Sequence, residues 1–464
     1  MGMRNRGFRD YTALLLATVS LPLPAFSQEV LPSGGGFTAG SGTIQTAPTG
    51  LVINQTSTTG IVDWQNFSIG SGNFVHFNNG TGATLNRVTG NLGSQIDGSL
   101  TATGSLYLVN RAGIVVGKDG VISTGGDFVA STHDVSNQQF LTGGAMTFSG
   151  SSKAAVVNLG TISSASGDVA LIARAVNNSG SITAQNGTVG LLAGYEILAK
   201  DKADADGLFS VVVGGSDTAA SNSGAIAAAN AELRANGGNV YALAGNSEGV
   251  VKATGVTSKD GRIFLTAGES GKVEVTGKLV ATRATAEPTG LPTRVPVPRA
   301  RPNRGGDIRI SGGDVIINGA IEARGTNGAG GTVVVTGNRV ALGQAAAIDA
   351  SGATGGTVLI GGDYQGGYNA SSKFLEEDVA TADQVVVATG ATIRVDGTAG
   401  AGGRAVVWSD DTTVFDGTIS ATAVGRAAGG IVETSGHNLL LGDNVSVSTL
   451  SAREIGRASC RERV

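Results

Sequence analysis

The chain has 464 residues with 75 Gly, 9 Pro, 15% charged and 5% aromatic residues, and a formal net charge of −4. Its 41% hydrophobic content is too high for a disordered polar polymer, and the mild acidity provides no basic footprint for nucleic acid. About twice the usual Gly and well under the usual charge point to many short strands separated by many turns.

The first element is a leader. Arg4, Arg6 and Arg9 precede the apolar run Tyr11–Leu23, which is followed by Ala25-Phe26-Ser27. A basic head, a short apolar core and small residues before the cut describe a secretory signal peptide, cleaved after Ser27. The apolar run falls short of the roughly 20 residues a spanning helix needs, and no later segment is long and apolar enough.

From 28 to about 150 the texture is irregular. In IVDWQNFSIGSGNFVHF (61–77), Ile61, Asp63, Gln65, Phe67 and Ile69 share one strand parity and Val62, Trp64, Asn66 and Ser68 the other. The second tryptophan, Trp408, stands alone. Beyond 150 the chain repeats itself. NLGTISSASGDVALIA (158–173) aligns with NSGSITAQNGTVGLLA (178–193) at a step of twenty, matching Asn158, Gly160, Ile162, Gly167, Val169, Leu171 and Ala173 with identical residues. Looser copies follow at 222–244, 255–268, 321–337, 348–362, 393–408 and 419–436. The shared grammar is Ile-x-[Ala/Val], a Gly-rich turn, then Val-x-[Val/Ile/Leu]. Alternating aliphatics mark strands with one buried face. A repeat of about twenty residues made of short strands cannot bury its apolar row alone and has to stack on its neighbours. The expectation is an all-β fold, a right-handed parallel β-helix. At about 22 residues per rung it has roughly 19 rungs and a length of about 90 Å at the inter-strand spacing. Its open end needs a cap, for which the aromatic-rich segment before 150 is suited.

Five prolines between Pro288 and Pro302, with Arg294, Arg299 and Arg301 among them, read as an extended linker or surface loop. The organisation expected is a signal peptide over 1–27, a capped β-helix domain over 28–280, a Pro/Arg-rich linker or loop over 281–304 and Gly-rich β-helix repeats over 305–453. The last eleven residues, EIGRASCRERV (454–464), break the texture and carry the single cysteine, Cys460. A DNA string that translates to them resembles a common sequencing-library adapter, so they are read as foreign, the alternative being a natural basic tail. The rest contains no cysteine, although an exported compartment permits disulfides. A chain threaded through a narrow pore is better off without them.

Catalytic and metal chemistry finds little purchase. His76, His133 and His437 are far apart in sequence and lack metal-ligand spacing. Gly-rich runs such as TNGAGGTVVV lack the Lys-Ser/Thr of a phosphate loop, and no nucleophile elbow is present. GGDYQG (361–366) lacks the tandem pattern of calcium-binding nonapeptides. Asp63, Asp97, Asp119 and Asp127 show no paired spacing and suit turns. The expectation is a non-enzyme with no metal and no cofactor.

The first third carries a resemblance. NQTSTTGIVDWQNFSIGSGNFVHFNN (54–79), ATLNRVTG (83–90), SQIDGSL (94–100) and LYLVNRAGIVVGKDGVISTGGDFVAST (106–132) resemble, over about 30–270, the N-terminal secretion domain of filamentous-haemagglutinin-type exoproteins of two-partner secretion systems. The resemblance implies a right-handed β-helix with an N-terminal cap and Sec-dependent export to the periplasm. It also implies recognition by an outer-membrane β-barrel transporter with periplasmic domains, in a Gram-negative cell. The product is then secreted or held at the cell surface, most often as an adhesin. The stalk of a contact-dependent toxin and, less readily, a secreted polysaccharide-active β-helix are the alternatives. The surface receptor is not named by the sequence. The family's Asn-Pro-Asn-Gly-type motif falls on Asn110-Arg111-Ala112-Gly113, where Arg111 replaces the proline. Asn86, Arg87 and Gly90 lie in the matching LNRVTG segment. With Trp64 and the pair Asn110 and Gly113, they are the candidate secretion-motif residues.

Overall fold

The structure is a computed structural model that describes residues 31–242, 250–255, 261–284, 303–451 and 457–462. The leader with its cut after Ser27, most of the Pro/Arg segment and part of the last eleven residues lie outside the described residues.

The twenty-residue phrase folds as its spacing dictates. Val169, Leu171 and Ala173 sit in register beside Val189, Leu191 and Ala193 in a parallel pair. Ile162 lies beside Ile182 in a second and Asn158 beside Asn178 in a third. Each turn of the coil thus contributes three short strands, and every strand finds its hydrogen-bond partners one rung up and one rung down. Three parallel ladders result. Ladder I starts at Gly50–Gln55 and gathers fourteen strands. Ladder II starts at Thr59–Trp64 and also gathers fourteen, the last being Arg457–Glu462 beside Ile431–Gly436. Ladder III starts at Ser94–Ile96 and gathers twelve. The inward rows form one apolar core that runs from Leu51 to Val432.

The fourteen rungs among the described residues give, at the inter-strand spacing, a coil of about 60 Å, against the 90 Å expected. The shortfall has a physical cause. Some rungs are not twenty residues long, because the chain leaves the coil between strands. Phe128 pairs with Val169, Thr188 with Asn230 and Thr357 with Arg404. Each of those steps consumes more than forty residues for one rise of the coil. All three excursions depart where ladder II turns toward ladder III. The Pro/Arg segment departs elsewhere. Its flanks, Lys278–Ala284 and Asn303–Gly305, pair antiparallel, and Lys278–Val280 stacks directly on Ala320–Glu322 of the next rung.

The N-terminal end of the coil is closed by antiparallel strands. Gly36–Ala39 covers Thr59–Trp64 of ladder II, and Gly42–Ala47 covers Gly50–Gln55 of ladder I. Their opposite direction blunts the exposed edge that a parallel stack leaves. Trp64 and Phe67 fill the first rung, fully buried and packed edge to face at 5.4 Å.

Two excursions assemble a roof over ladder II. Residues 132–152 contribute a one-turn helix, Asn137–Thr142, whose Ser136 cap accepts the Gln139 N–H, and the strand Met146–Ser149. Residues 194–217 contribute the hairpin Glu196–Asp204 and Gly207–Val213. The three strands form a separate antiparallel sheet. A second apolar cluster lies between it and the coil, joining Ile61, Leu85, Tyr107, Val129, Ala170 and Leu192 to Phe140, Phe148 and Phe209. Each buried aromatic here contributes about 1.5–3 kcal/mol. Trp408 is not alone as the sequence suggested. It packs with Val334, Leu359 and Val406 under the third excursion, 361–383, which supplies Tyr364, Phe374, Leu375 and Val379.

Candidate functional site

The six candidate residues come together on the first rungs of ladder II. Trp64, Val88 and Asn110 occupy one register position on three successive rungs, and Asn86 lies two residues inward of Asn110's neighbour Val88. The Trp64 indole N–H donates to Asn86 Oδ1 at 2.9 Å, and Asn86 Nδ2 donates to the Tyr107 carbonyl at 3.3 Å. A tryptophan placed inside an apolar coil needs an acceptor, and Asn86 is that acceptor. Trp64 is 1% exposed, Asn86 and Asn110 are 0% exposed.

Asn110 ends its strand and builds the corner. Its Oδ1 accepts the Ala112 N–H at 2.9 Å. Its Nδ2 donates to the Leu92 carbonyl at 3.0 Å and to Ser94 Oγ at 2.9 Å. Its carbonyl accepts the Gly113 N–H at 3.0 Å, closing the turn. Gly113 has φ of 108°, a conformation side chains disfavour. Arg111, at the family's proline position, is exposed and presents its carbonyl to Ser152 Oγ at 2.6 Å. The turn therefore closes without the proline, through Asn side-chain chemistry. At Gly90 a Cβ would lie 2.2 Å from the Gln65 carbonyl oxygen, so the corner admits no side chain.

Arg87 points the other way, to the outside of ladder II. Its Nε donates to both Asp134 oxygens, at 3.0 and 2.9 Å, and a terminal nitrogen donates to the Val135 carbonyl at 3.1 Å and Asn137 Oδ1 at 3.0 Å. Asp63 lies 3.6 Å from its other nitrogen. Arg87 thus ties the first excursion, at the start of its helix, to the second rung.

The roof has a charged clasp of its own that sequence reasoning missed. Glu232 is buried and accepts the N–H groups of Leu208 and Phe209 at 2.7 and 3.1 Å and the Arg234 Nε–H at 2.8 Å. Arg234 donates to the Asp206 carbonyl and Arg262 to the Asp204 carbonyl. Both guanidinium groups lie over the Phe264 ring, at 4.9 and 5.4 Å. The roof residues it holds lie 23 to 58 positions away in sequence, with no periodic signal, so the clasp was not legible.

The remaining polar candidates stay separate. His76 bonds Thr101 Oγ1 and Asn78 Oδ1, both at 2.7 Å. His133 is buried beneath the roof with Nε2 2.7 Å from the Gly194 carbonyl, and burial holds its pKa below the ordinary value. His437 is exposed. Asp97 accepts from Gln95 at 2.8 Å, Asp119 is exposed on a turn, and Asp127 meets Asp168, not another of the four. In GGDYQG, Asp363 accepts the N–H groups of Tyr364, Phe374 and Leu375 and so organises the third excursion. Among the described residues no three His, Cys, Asp or Glu side chains gather into a metal cluster.

A capped parallel β-helix with an extra-coil roof over its first rungs defines a secretion-type β-helix. Residues 28–281 match the family model described as the TPS secretion domain, and the chain belongs to that family. It is similar to the HMW1 secretion domain from Haemophilus influenzae, whose crystal structure aligns with a TM-score of 0.64 at 29% identity, covering 92% of this chain and 100% of that one. No curated protein matches. The chain is an exoprotein of a two-partner secretion system, secreted by way of the periplasm and surface-associated, and its secretion domain implies a cognate outer-membrane β-barrel transporter.

Proposed function

We propose that the partner reads this domain before it coils, and that Trp64, Asn86, Arg87, Gly90, Asn110 and Gly113 serve the folded cap that forms outside the cell. The observation that carries this reading is the burial of Trp64, Asn86 and Asn110. In the coiled state no partner reaches them, whereas in an extended chain they are all available. Sec export after removal of the leader at Ser27, strand addition to periplasmic domains of the transporter and rung-by-rung folding outside form one sequence of events. Each new rung buries its row on the last. In this reading 281–304 is a loop in a continuing coil and 454–464 is foreign to the natural chain.

The mature product is an adhesin of the filamentous-haemagglutinin type. Ladder I supports this, because it presents an outward polar row, with Thr101, Ser123, Ser163 and Thr183 in register on successive rungs. The test has three parts. Deletion of 54–132 should leave the protein in the periplasm, and normal release overturns the secretion assignment. Asn110→Ala should slow refolding of the purified chain in vitro. If it blocks release while refolding is unchanged, the residue is read by the partner and the cap assignment fails. Cells bearing the released protein should attach to host or bacterial surfaces; killing of neighbours without attachment would favour a toxin stalk.

A further inference from the structure

The roof does not close completely on the coil. Between them lies a cleft of about 360 Å³, within the size range of small-molecule sites. Its walls are aromatic and aliphatic: Tyr107 and Val129 on the coil, Phe140, Phe148, Leu208 and Phe209 on the roof. Tyr107 and Phe140 meet edge to face at 5.2 Å. One side is acidic. Asp127 and Asp168 both line the cleft and stand on consecutive rungs, since the residues that follow them, Phe128 and Val169, are register partners.

These two carboxylates have incomplete partners. Asp127 accepts the Asp168 N–H at 2.9 Å and, loosely, the Tyr107 hydroxyl at 3.4 Å. Asp168 accepts the Thr188 N–H at 2.6 Å through one oxygen. Among the described residues neither has a cationic partner. The one lysine at the mouth, Lys200, is committed to Asp204 at 2.8 Å. Two acids on adjacent rungs, facing an aromatic cavity with no countercharge, is an arrangement that a cation completes twice over. It neutralises the acids and it lies against ring faces that attract positive charge.

We propose that this cleft is a binding site for an organic cation with an apolar body, a protonated amine or a guanidinium, whose head lies on Asp127 and Asp168 and whose body lies among Tyr107, Phe140, Phe148 and Phe209. The cation could come as a free amine or on a lysine or arginine of another chain. The chemistry is the same for both sources. The site touches the cap residues only through the Tyr107 carbonyl, which accepts from Asn86, and its test reads ligand binding rather than release or refolding, so failure of either assignment is told apart from failure of the other. Burial and the neighbouring Asp127 and Glu232 push the Asp168 carboxyl up to about 6, so cation binding should strengthen as the pH rises through that value. The other ionisable groups facing the cleft are Tyr107, Lys200 and Asp201, with Glu232 behind it already held by Arg234.

The test uses the full secreted chain and three probes: phenethylamine, its neutral counterpart 2-phenylethanol, and a short blocked peptide carrying one lysine between two leucines. Calorimetry at pH 7.5 should give saturable binding of at least one cationic probe with a dissociation constant of about 1 mM or tighter. Asp168→Asn and Asp127→Asn should each weaken it about tenfold, and binding at pH 5 should be several-fold weaker than at pH 7.5. Tighter binding of the free amine assigns a small-molecule ligand; tighter binding of the peptide assigns a protein side chain. Equal binding of the alcohol, indifference to both Asp substitutions, or no saturation by any probe overturns the proposal. The pH comparison on the unaltered protein keeps the test decisive if a variant fails to fold.

Discussion

Ladder II is roofed twice, and the two roofs are built on different principles. The N-terminal roof is a hydrogen-bonded sheet with its own helix, and its three strands pair with one another. The C-terminal roof, 361–383, contains no strand and only a short 3-10 turn. It borrows its acceptors. Asp363 takes three N–H groups at its root, Glu433 on the coil takes the Gln365 N–H at 2.7 Å, and Asp410 takes the Tyr368 hydroxyl and the Trp408 indole N–H. An excursion that can pair with another excursion becomes a sheet. One that cannot needs carboxylates from itself and the coil, since a buried N–H left alone costs about 1–3 kcal/mol. In both cases the roof follows from outward aliphatics on ladder II. Among the described residues ladder I carries no such row and no covering sheet.

The tryptophans give the sharpest way to break the comparison. Trp64→Ala and Trp408→Ala should each cost about 3–5 kcal/mol locally. Stability in a stacked coil is nearest-neighbour in character, so the two losses should stay apart. Hydrogen exchange should show Trp64→Ala releasing the first rungs and the N-terminal strands, while Trp408→Ala releases 361–383 and the rungs around Val406. Global loosening by Trp408→Ala would show that the two ends are coupled, and the picture of two independent roofs would fail.

Asp363→Ala tests the borrowed-acceptor principle. Three N–H groups lose their partner, and a loss of about 2–4 kcal/mol confined to the C-terminal roof is expected. Limited proteolysis should then cut within 364–380 and leave the N-terminal roof intact. Arg87→Ala is the counterpart at the other end. It removes a bifurcated bond from Nε to the two Asp134 oxygens and two further bonds to the start of the helix, which should cost about 1.5–3 kcal/mol. The helix Asn137–Thr142 should lose exchange protection while the strands of the roof, held by Glu232 and by their own pairing, keep theirs.

What the sequence discloses follows from where the periodicity lies. The inward rows repeat, so the three strands of the rungs at 158–173 and 178–193 are legible residue by residue, and the identity of Asn158 with Asn178 is a stacked buried pair bonded at 2.7 Å. The cap is legible only in part: the aromatic-rich segment before 150 suits a cap, yet Gly36–Ala39 and Gly42–Ala47 close the coil, while Trp64 and Phe67 fill its first rung and the strands from Gly50 onward build further rungs. The roofs are not legible. Each excursion enters once, without a repeat to announce it, and the residues that hold it are scattered: Arg87 to Asp134, Glu232 to Leu208, Glu433 to Gln365. Counting rungs by length fails for the same reason, because residues spent on roofs add nothing to the rise of the coil. The depth of the candidate secretion residues was also hidden. Asn110 builds the corner its motif suggests, but nothing in LNRVTG marks Asn86 as the mid-strand acceptor for an indole.

The smallest effect expected separates the acidic margin of the N-terminal roof from everything else in it. Asp168 ionises near 3.9 in the unfolded chain and at about 6 in the folded one. Between those values the folded form keeps a proton that the unfolded form has released. Folding is therefore favoured most at low pH by this group, and that contribution is lost as the pH rises through 6. Asn at this position still accepts the Thr188 N–H and never ionises, so Asp168→Asn should be the more stable protein at pH 7.5, by about 1 kcal/mol once the half-exposed setting is allowed for. The advantage should vanish near pH 4. His133 acts with the opposite sign. Its folded pKa is lowered by burial, so its contribution is complete above about 6.5 and is lost as the pH falls. Because His133 is present in both proteins, its effect cancels in the difference between their urea midpoints, and only the Asp168 contribution remains. A difference that stays constant from pH 4 to 7.5 would mean that Asp168 is as well solvated in the coil as in the unfolded chain, and the acidic wall of the cleft would then be an ordinary wet surface.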